Sequence, residues 1–129
     1  MEKRPLILAI DDDPFYLNEI KMEIEEHADY IFFKGPNDFE QNAKEHDVKN
    51  ADLILVDYDY GRGTAVKSGI ADYIRKELGY RGKLVLCSLH EDFKENSAKV
   101  QKDYDLVMHK RDMSWRTISQ SLGFNDLHA

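Results

Sequence analysis

The sequence predicts a single α/β domain with a doubly wound, five-stranded parallel sheet and helices on both faces. Three observations lead to this prediction: the length of 129 residues suits one domain, short apolar runs recur along the chain, and stretches with helical spacing separate those runs. Strands and helices that alternate in this way form a parallel sheet with right-handed crossovers.

Five short segments are predicted to be strands. Three of them are continuous apolar runs, which are typical of parallel strands buried on both faces: residues 6–10, 53–56 and 84–87. Two weaker candidates complete the sheet: residues 30–33, which precede Gly35 and Pro36, and residues 106–108, which precede His109 and Lys110.

The first helix is predicted to begin at Pro14, with Asp13 as its N-cap. Its apolar residues recur at intervals of three and four: Leu17, Ile20 and Ile24. A second apolar stripe covers residues 70–78 and ends at Gly79, a predicted C-cap. Further helices are predicted at residues 37–46, 93–100 and 115–122, where Trp115, Ile118 and Leu122 are interpreted as core or packing surface.

Composition limits the classes of function. Apolar residues make up 42% and charged residues 33%, a balance typical of a folded domain. The 25 acidic residues outnumber the 18 Lys and Arg, and the resulting charge of -7 repels a nucleic-acid backbone and favours a protein partner. No apolar stretch is long enough for a membrane span. Cys87 stands alone and forms no internal disulfide, so we expect a cytoplasmic protein with no membrane association.

Polar side chains follow four of the predicted strands. Asp11, Asp12 and Asp13 follow the first strand, and the third, fourth and fifth strands end at the following residues in turn: Asp57, Ser88 and Lys110. The carboxyl ends of parallel strands form the ligand site of an open α/β sheet, so we expect these groups to converge. Carboxylates brought together repel unless a cation lies between them, and Mg2+ is the expected ion, with Mn2+ as a substitute.

This set of residues suits phosphoryl transfer. Asp57 is the candidate nucleophile, because a carboxylate beside a divalent ion can attack phosphorus. Lys110 would place a positive charge on the phosphoryl oxygens, and the Ser88 hydroxyl would donate a hydrogen bond to one of them.

These motifs resemble the receiver domains of two-component response regulators, and the resemblance covers nearly the whole chain. Residues 10–14, Ile-Asp-Asp-Asp-Pro, are similar to the family's acidic pocket, and residues 53–57 are similar to its phosphoacceptor strand. The resemblance implies a flavodoxin-like receiver fold over residues 1–123 with a C-terminal tail at 124–129. It also implies that Asp11, Asp12, Asp57 and the backbone carbonyl of Asp59 bind the metal, and that Asp57, Ser88 and Lys110 carry the chemistry.

The resemblance further implies a stand-alone signalling switch that catalyses only its own phosphorylation and dephosphorylation. Its donor is a histidine kinase or a histidine phosphotransfer protein. Its output partner binds a face built from the fourth helix, fifth strand and fifth helix, and nucleic acid and membranes are not expected partners.

The sequence departs from the family pattern at its switch positions. Val107 replaces the usual aromatic residue, Arg111 replaces the usual Pro, and Leu89 replaces a small residue after Ser88. The loop from Gly61 to Gly69 is about four residues longer than usual. The output mechanism is therefore less well defined than the phosphorylation chemistry.

Two other functions remain open. Asp57 and Asp59, with Thr64 nearby, resemble the Asp-x-Asp motif of haloacid dehalogenase-like phosphatases, although that family places the motif on its first strand. A receiver-like module that acts by contact alone is the second alternative, and the altered switch positions favour it. Asp11 and Asp12 are not explained by the first alternative, and the acidic pocket argues against the second.

Overall fold

Five parallel strands form one sheet in the order β2-β1-β3-β4-β5. The computed structural model describes residues 4–58, 69–89 and 103–123. The strands are β1 (Leu6–Ile10), β2 (Asp29–Phe33), β3 (Leu53–Asp57), β4 (Lys83–Ser88) and β5 (Leu106–His109). The predicted fold class is confirmed, since this is the flavodoxin-like order, in which the strand order reverses between β1 and β3.

Helix α1 (Pro14–Ile24) begins as predicted. The Asp13 side chain accepts a hydrogen bond from the backbone N–H of Phe15 at 3.0 Å, and Pro14 occupies the first turn. The buried residues differ from the predicted stripe at one position: Tyr16 is buried with Ile20 and Ile24, whereas Leu17 is half-buried. The spacing of four residues keeps all three buried side chains on one face of the helix.

The helix predicted at residues 37–46 is two short helices, α2 (Pro36–Asn42) and α3 (Glu45–Asn50). The backbone is extended at Ala43 and Lys44, between them. Phe39 and Val48 are both fully buried in the same core. They are nine residues apart, so one continuous helix at about 100° per residue would place them on opposite faces. The break allows both side chains to reach the sheet.

The segment predicted at residues 70–78 is helical but not regular. It comprises α4 (Ile70–Asp72) and a π-helical turn (Tyr73–Glu77), closed by a hydrogen bond from Leu78 N–H to the Tyr73 carbonyl at 3.1 Å. Gly79 has φ +67, the left-handed conformation expected of a glycine at a helix end. None of the helices in the described ranges is long and apolar enough to cross a membrane.

Two apolar cores lie on opposite faces of the sheet. One contains residues of α2, α3 and α4, and the other contains residues of α1 and α5 (Trp115–Ser121). Trp115 and Ile118 belong to the second core, so their interpretation as packing residues is confirmed. Cys87 is also buried there. The helix predicted at residues 93–100 lies outside the described residues.

The amino ends of β4 and β5 are joined by a hydrogen-bond network around Arg75, here called the Arg75 network. The guanidinium donates to the carbonyls of Tyr80 at 3.1 Å and Gly82 at 2.8 Å, and to the Asp105 carboxylate at 2.8 Å. The same Asp105 oxygen accepts the backbone N–H of Leu84 at 2.9 Å. The network therefore satisfies a cation, a carboxylate and backbone groups together.

Candidate functional site

Side-chain alternation directs three of the predicted site residues to the α1 face of the sheet at its carboxyl edge. Each lies two positions after a residue of the α1-side core: Asp11 after Ala9, Asp57 after Leu55 and Lys110 after Met108. Successive side chains of a strand point to opposite faces, so residues two apart share a face. The strand pattern thus explains why residues distant in the chain meet.

The ammonium group of Lys110 lies between two buried carboxylates. Its Nζ atom is 2.8 Å from Asp11 Oδ2 and 2.9 Å from Asp57 Oδ1. The exposed fractions are only 7%, 2% and 4% for Lys110, Asp11 and Asp57. Asp11 Oδ1 also accepts the backbone N–H of Asp13 at 2.8 Å, which fixes the carboxylate relative to the start of α1.

Asp12 completes the group of acids, here called the acidic cluster (Asp11, Asp12 and Asp57). One carboxylate oxygen from each residue lies within 4.8 Å of the other two, and Asp12 is exposed. The sequence prediction that these three acids converge is therefore confirmed. Their roles as metal ligands and nucleophile stay predictions.

Burial and the charges of neighbouring groups shift the pKa values of the ionisable residues in the site. Burial raises the pKa of Asp57 to about 7, and the charge of Asp11 adds to the rise, while the Lys110 ammonium opposes it. Burial likewise raises the pKa of Asp11. Burial lowers the pKa of Lys110, but its hydrogen bonds to the two carboxylates outweigh this and the pKa is raised. One ammonium does not neutralise three carboxylates, so the cluster favours an additional cation.

The donor atoms fit a hard divalent ion. Mg2+ prefers oxygen ligands, keeps several waters and is commonly held by one or two carboxylates with other oxygens. The acidic cluster offers a carboxylate oxygen from each of three residues, one of them exposed and open to solvent. The position of the Lys110 ammonium shows that this place attracts positive charge.

Ser88 lies at the same edge of the sheet. It is the last residue of β4 and is almost fully buried, and the preceding residue, Cys87, pairs with Asp57. Asp59, Thr64 and the rest of the long loop up to residue 68 lie outside the described residues, so the structure does not place the predicted carbonyl ligand.

The positions that depart from the family pattern are spread around this edge. Val107 is half-buried and packs on the core beneath α2 to α4. Arg111 is exposed, and its N–H donates to His109 Nδ1 at 3.0 Å. Leu89 is 61% exposed. Its side chain therefore faces solvent at the end of β4.

Tyr16 is a site residue that the sequence prediction missed. Its ring lies beneath the Lys110 ammonium, with Nζ 4.3 Å from the ring centroid. A signal was present, because Tyr16 precedes Ile20 by four residues and so lies on the buried stripe of α1. The contact itself joins residues 94 positions apart and depends on the packing of α1 against the sheet.

Solved structures share this fold. The chain aligns with a CheY-like response regulator receiver domain from Methylobacillus flagellatus with a TM-score of 0.74 and 14% identity, over 93% of this chain and 99% of that one. A CheY-like receiver domain protein from Methanospirillum hungatei JF-1 aligns with a TM-score of 0.71 and 16% identity, over 94% of this chain and 95% of that one. The BeF3-activated DrrB receiver domain aligns with a TM-score of 0.72 and 14% identity, over 94% of this chain and 99% of that one.

The chain therefore has the fold of response regulator receiver domains, and the predicted resemblance in fold is confirmed. No family model matches the sequence, and no curated protein is similar to it in sequence. At this level of identity the structural likeness establishes the fold, while function is argued from the site.

Proposed function

We propose that this protein is a receiver domain that accepts a phosphoryl group on Asp57 and acts as a signalling switch. One observation carries the proposal. A buried carboxylate at the end of β3 lies within an acidic cluster and 2.9 Å from a buried lysine ammonium, at the carboxyl edge of a receiver fold. These are the groups that phosphoryl transfer to a carboxylate requires.

In the proposed reaction an Asp57 carboxylate oxygen attacks the phosphorus of a phosphohistidine. A new O–P bond forms, the P–N bond breaks, and its electron pair returns to the imidazole nitrogen. Later hydrolysis reverses the modification: a water oxygen attacks phosphorus, the Asp57 O–P bond breaks, and phosphate leaves as the carboxylate is restored. The protein is thus a switch that catalyses its own modification, and it is not a turnover enzyme.

The other site residues position and stabilise the phosphoryl group. The ammonium of Lys110 already contacts Asp57 and would pair with a phosphoryl oxygen, and the Ser88 hydroxyl would donate to another. Asp11, Asp12, Asp57 and the carbonyl of Asp59 would hold Mg2+ or Mn2+. The bound ion would supply neutralisation of the charge on the phosphoryl oxygens.

The proposed donor is a histidine kinase or a histidine phosphotransfer protein in the cytoplasm. The proposed output surface comprises residues 93–100, β5 and α5, where a protein partner would bind. The net charge of -7 supports a protein partner and argues against nucleic acid. We assign residues 1–123 to the receiver domain and residues 124–129 to a tail.

Intact-mass measurement tests this function directly. We expect the protein to gain one phosphoryl group on incubation with phosphoramidate and Mg2+, and to gain none when EDTA is present. Asp57→Asn should abolish the gain, because the amide is not a nucleophile. Asp105→Asn is the matched control, since it makes the same chemical change at the opposite edge of the sheet, and it should be phosphorylated normally. An unmodified wild-type mass under saturating donor would sink the proposal.

The same samples separate the two alternatives. A haloacid dehalogenase-like phosphatase would hydrolyse p-nitrophenyl phosphate steadily. The acidic motif here lies on the third strand of the sheet, which argues against that family. A contact-only module would bind its partner equally well with Asp57 or Asn at this position.

A further inference from the structure

The Lys110 ammonium is surrounded on three sides by fixed groups. Two are the carboxylates of Asp11 and Asp57, at 2.8 and 2.9 Å, and the third is the ring of Tyr16, whose centroid is 4.3 Å away. An ammonium has three N–H donors, and a cation over an aromatic face is attracted by the ring quadrupole. Tyr16 is 6% exposed, so water competes little for this contact.

We propose that Tyr16 is a positioning residue, whose ring face holds the Lys110 ammonium at the phosphoacceptor. This inference rests on the proposed function, because Lys110 is the group expected to pair with the phosphoryl oxygens. Lysine is a point charge on a flexible stem with several rotatable bonds, so its placement depends on what packs around it. The ring restricts the ammonium to the side of the sheet on which Asp57 lies.

The anchoring of the ring supports this role. Tyr16 lies in the first turn of α1, which begins at Pro14, three residues after Asp11, and is capped by Asp13. The same short segment therefore positions the ring and one of the carboxylates that hold the lysine. In addition, Tyr16 belongs to the α1-side core with Ile20 and Met108, so the ring cannot turn away without disturbing that core.

The ring face, and not the hydroxyl, carries the proposed role. The Tyr16 hydroxyl is buried next to the Cys87 thiol, and in the described part of the chain it makes no hydrogen bond to Lys110, Asp11 or Asp57. Burial raises the pKa of this phenol, with the charges of Asp11 and Asp57 adding to the rise, so the ring stays neutral. A phenylalanine would present the same face to the ammonium.

Replacement of the ring tests the proposal. We compare Tyr16→Leu, which removes the ring, with Tyr16→Phe, which removes only the hydroxyl. With phosphoramidate and saturating Mg2+, the maximal rate of Asp57 phosphorylation should fall about tenfold in Tyr16→Leu and stay within about twofold of wild type in Tyr16→Phe. A tenfold change corresponds to about 1.4 kcal/mol, which is in the range of a buried cation–π contact. The Mg2+ dissociation constant, measured by calorimetry, should be unchanged in both variants.

Two further measurements exclude a general loss of structure. Ile24→Ala removes a fully buried side chain from the same face of α1, two turns away, and should lower stability without slowing phosphorylation. The NMR signals of the Lys110 side-chain methylenes report the ring directly, because ring current shifts them. That shift should persist in Tyr16→Phe and vanish in Tyr16→Leu. If Tyr16→Leu does not fold, Tyr16→Met replaces it with the same expectations.

The outcomes distinguish this inference from the proposed function. If wild-type protein is phosphorylated and Tyr16→Leu reacts equally fast, the inference is wrong and the function stands. If Tyr16→Phe loses as much rate as Tyr16→Leu, the hydroxyl is responsible and the inference is also wrong. If wild-type protein accepts no phosphoryl group, the proposed function fails first. The positioning role of Tyr16 is then tested by the NMR measurement alone. Lys110 methylene signals without a ring-current shift in the wild-type protein would overturn it.

Discussion

The two edges of the sheet each hold a basic side chain, but they balance its charge differently. At the carboxyl edge, the Lys110 ammonium lies between two carboxylates, and a third acid is close by. At the amino edge, the Arg75 guanidinium meets one carboxylate and two carbonyls. The side chains of Lys110 and Asp57 are 6% and 4% exposed, whereas those of Arg75 and Asp105 are 28% and 41% exposed.

This difference distinguishes the Arg75 network, which stabilises the fold, from the acidic cluster, which is suited to chemistry. The Arg75 network pairs one guanidinium with one carboxylate and two backbone carbonyls, so it stabilises the junction of β4 and β5 and has no excess charge. The acidic cluster keeps uncompensated negative charge in a buried place, which costs stability. Unpaired charge of this kind is characteristic of functional sites, because a ligand of opposite charge relieves it.

The largest expected effect is the loss of the Arg75 network. Arg75→Ala leaves the carbonyls of Tyr80 and Gly82 and the carboxylate of Asp105 without their shared donor, so we expect the free energy of unfolding to fall by about 3 kcal/mol. Urea denaturation measures this. Arg81→Ala, at an exposed neighbouring arginine, is the control and should change it by less than about 0.5 kcal/mol. Equal losses in the two variants would show that the network contributes nothing specific.

The same substitution at the two edges should have opposite effects on stability. In EDTA at pH 7, Asp57→Asn should raise the free energy of unfolding by about 2 kcal/mol because it removes a repelled, buried charge, while Asp105→Asn should lower it because it weakens charge-assisted hydrogen bonds. Urea denaturation of the two variants and of the wild type measures both changes in the free energy of unfolding. A loss of stability in both variants would mean that Lys110 fully compensates Asp57.

The pH dependence provides a check on the Asp57 result. Burial raises the pKa of this carboxyl group from 3.8 to about 7, so between these values the folded state holds a proton that the unfolded state releases. The stability that this bound proton gives the folded state is fully present below pH 3.8 and is lost as the pH rises through about 7. Wild type should therefore lose stability relative to Asp57→Asn as pH rises across this range in EDTA.

The smallest expected effect is stabilisation by the metal. Mg2+ at ten times its dissociation constant should raise the free energy of unfolding by about 1.4 kcal/mol, because it binds only the folded state. Asp11→Asn should remove this gain, since it takes one carboxylate from the acidic cluster, and Asp105→Asn should retain it. Thermal denaturation with and without Mg2+ measures the difference. A gain that persists in Asp11→Asn would place the ion elsewhere.

Local sequence determined the strands, the start of α1 and the position of the reactive groups along the chain. The apolar runs predicted all five strands, Asp13 and Pro14 predicted the start of α1, and Gly79 predicted a helix end. These features depend on neighbouring residues: alternating burial, capping hydrogen bonds and the left-handed backbone that glycine adopts. The convergence of Asp11, Asp12 and Asp57 also followed, because parallel strands bring their carboxyl ends to one edge.

Only the tertiary structure decided which side chains meet across that edge. The break between α2 and α3 arises because Phe39 and Val48 must reach the same core, a demand that no local pattern expresses. The placement of the Tyr16 ring beneath Lys110 depends on how α1 packs against the sheet. Sequence therefore determined the acids that form the site, whereas long-range packing decided the contacts of its lysine, since those contacts join residues far apart in the chain.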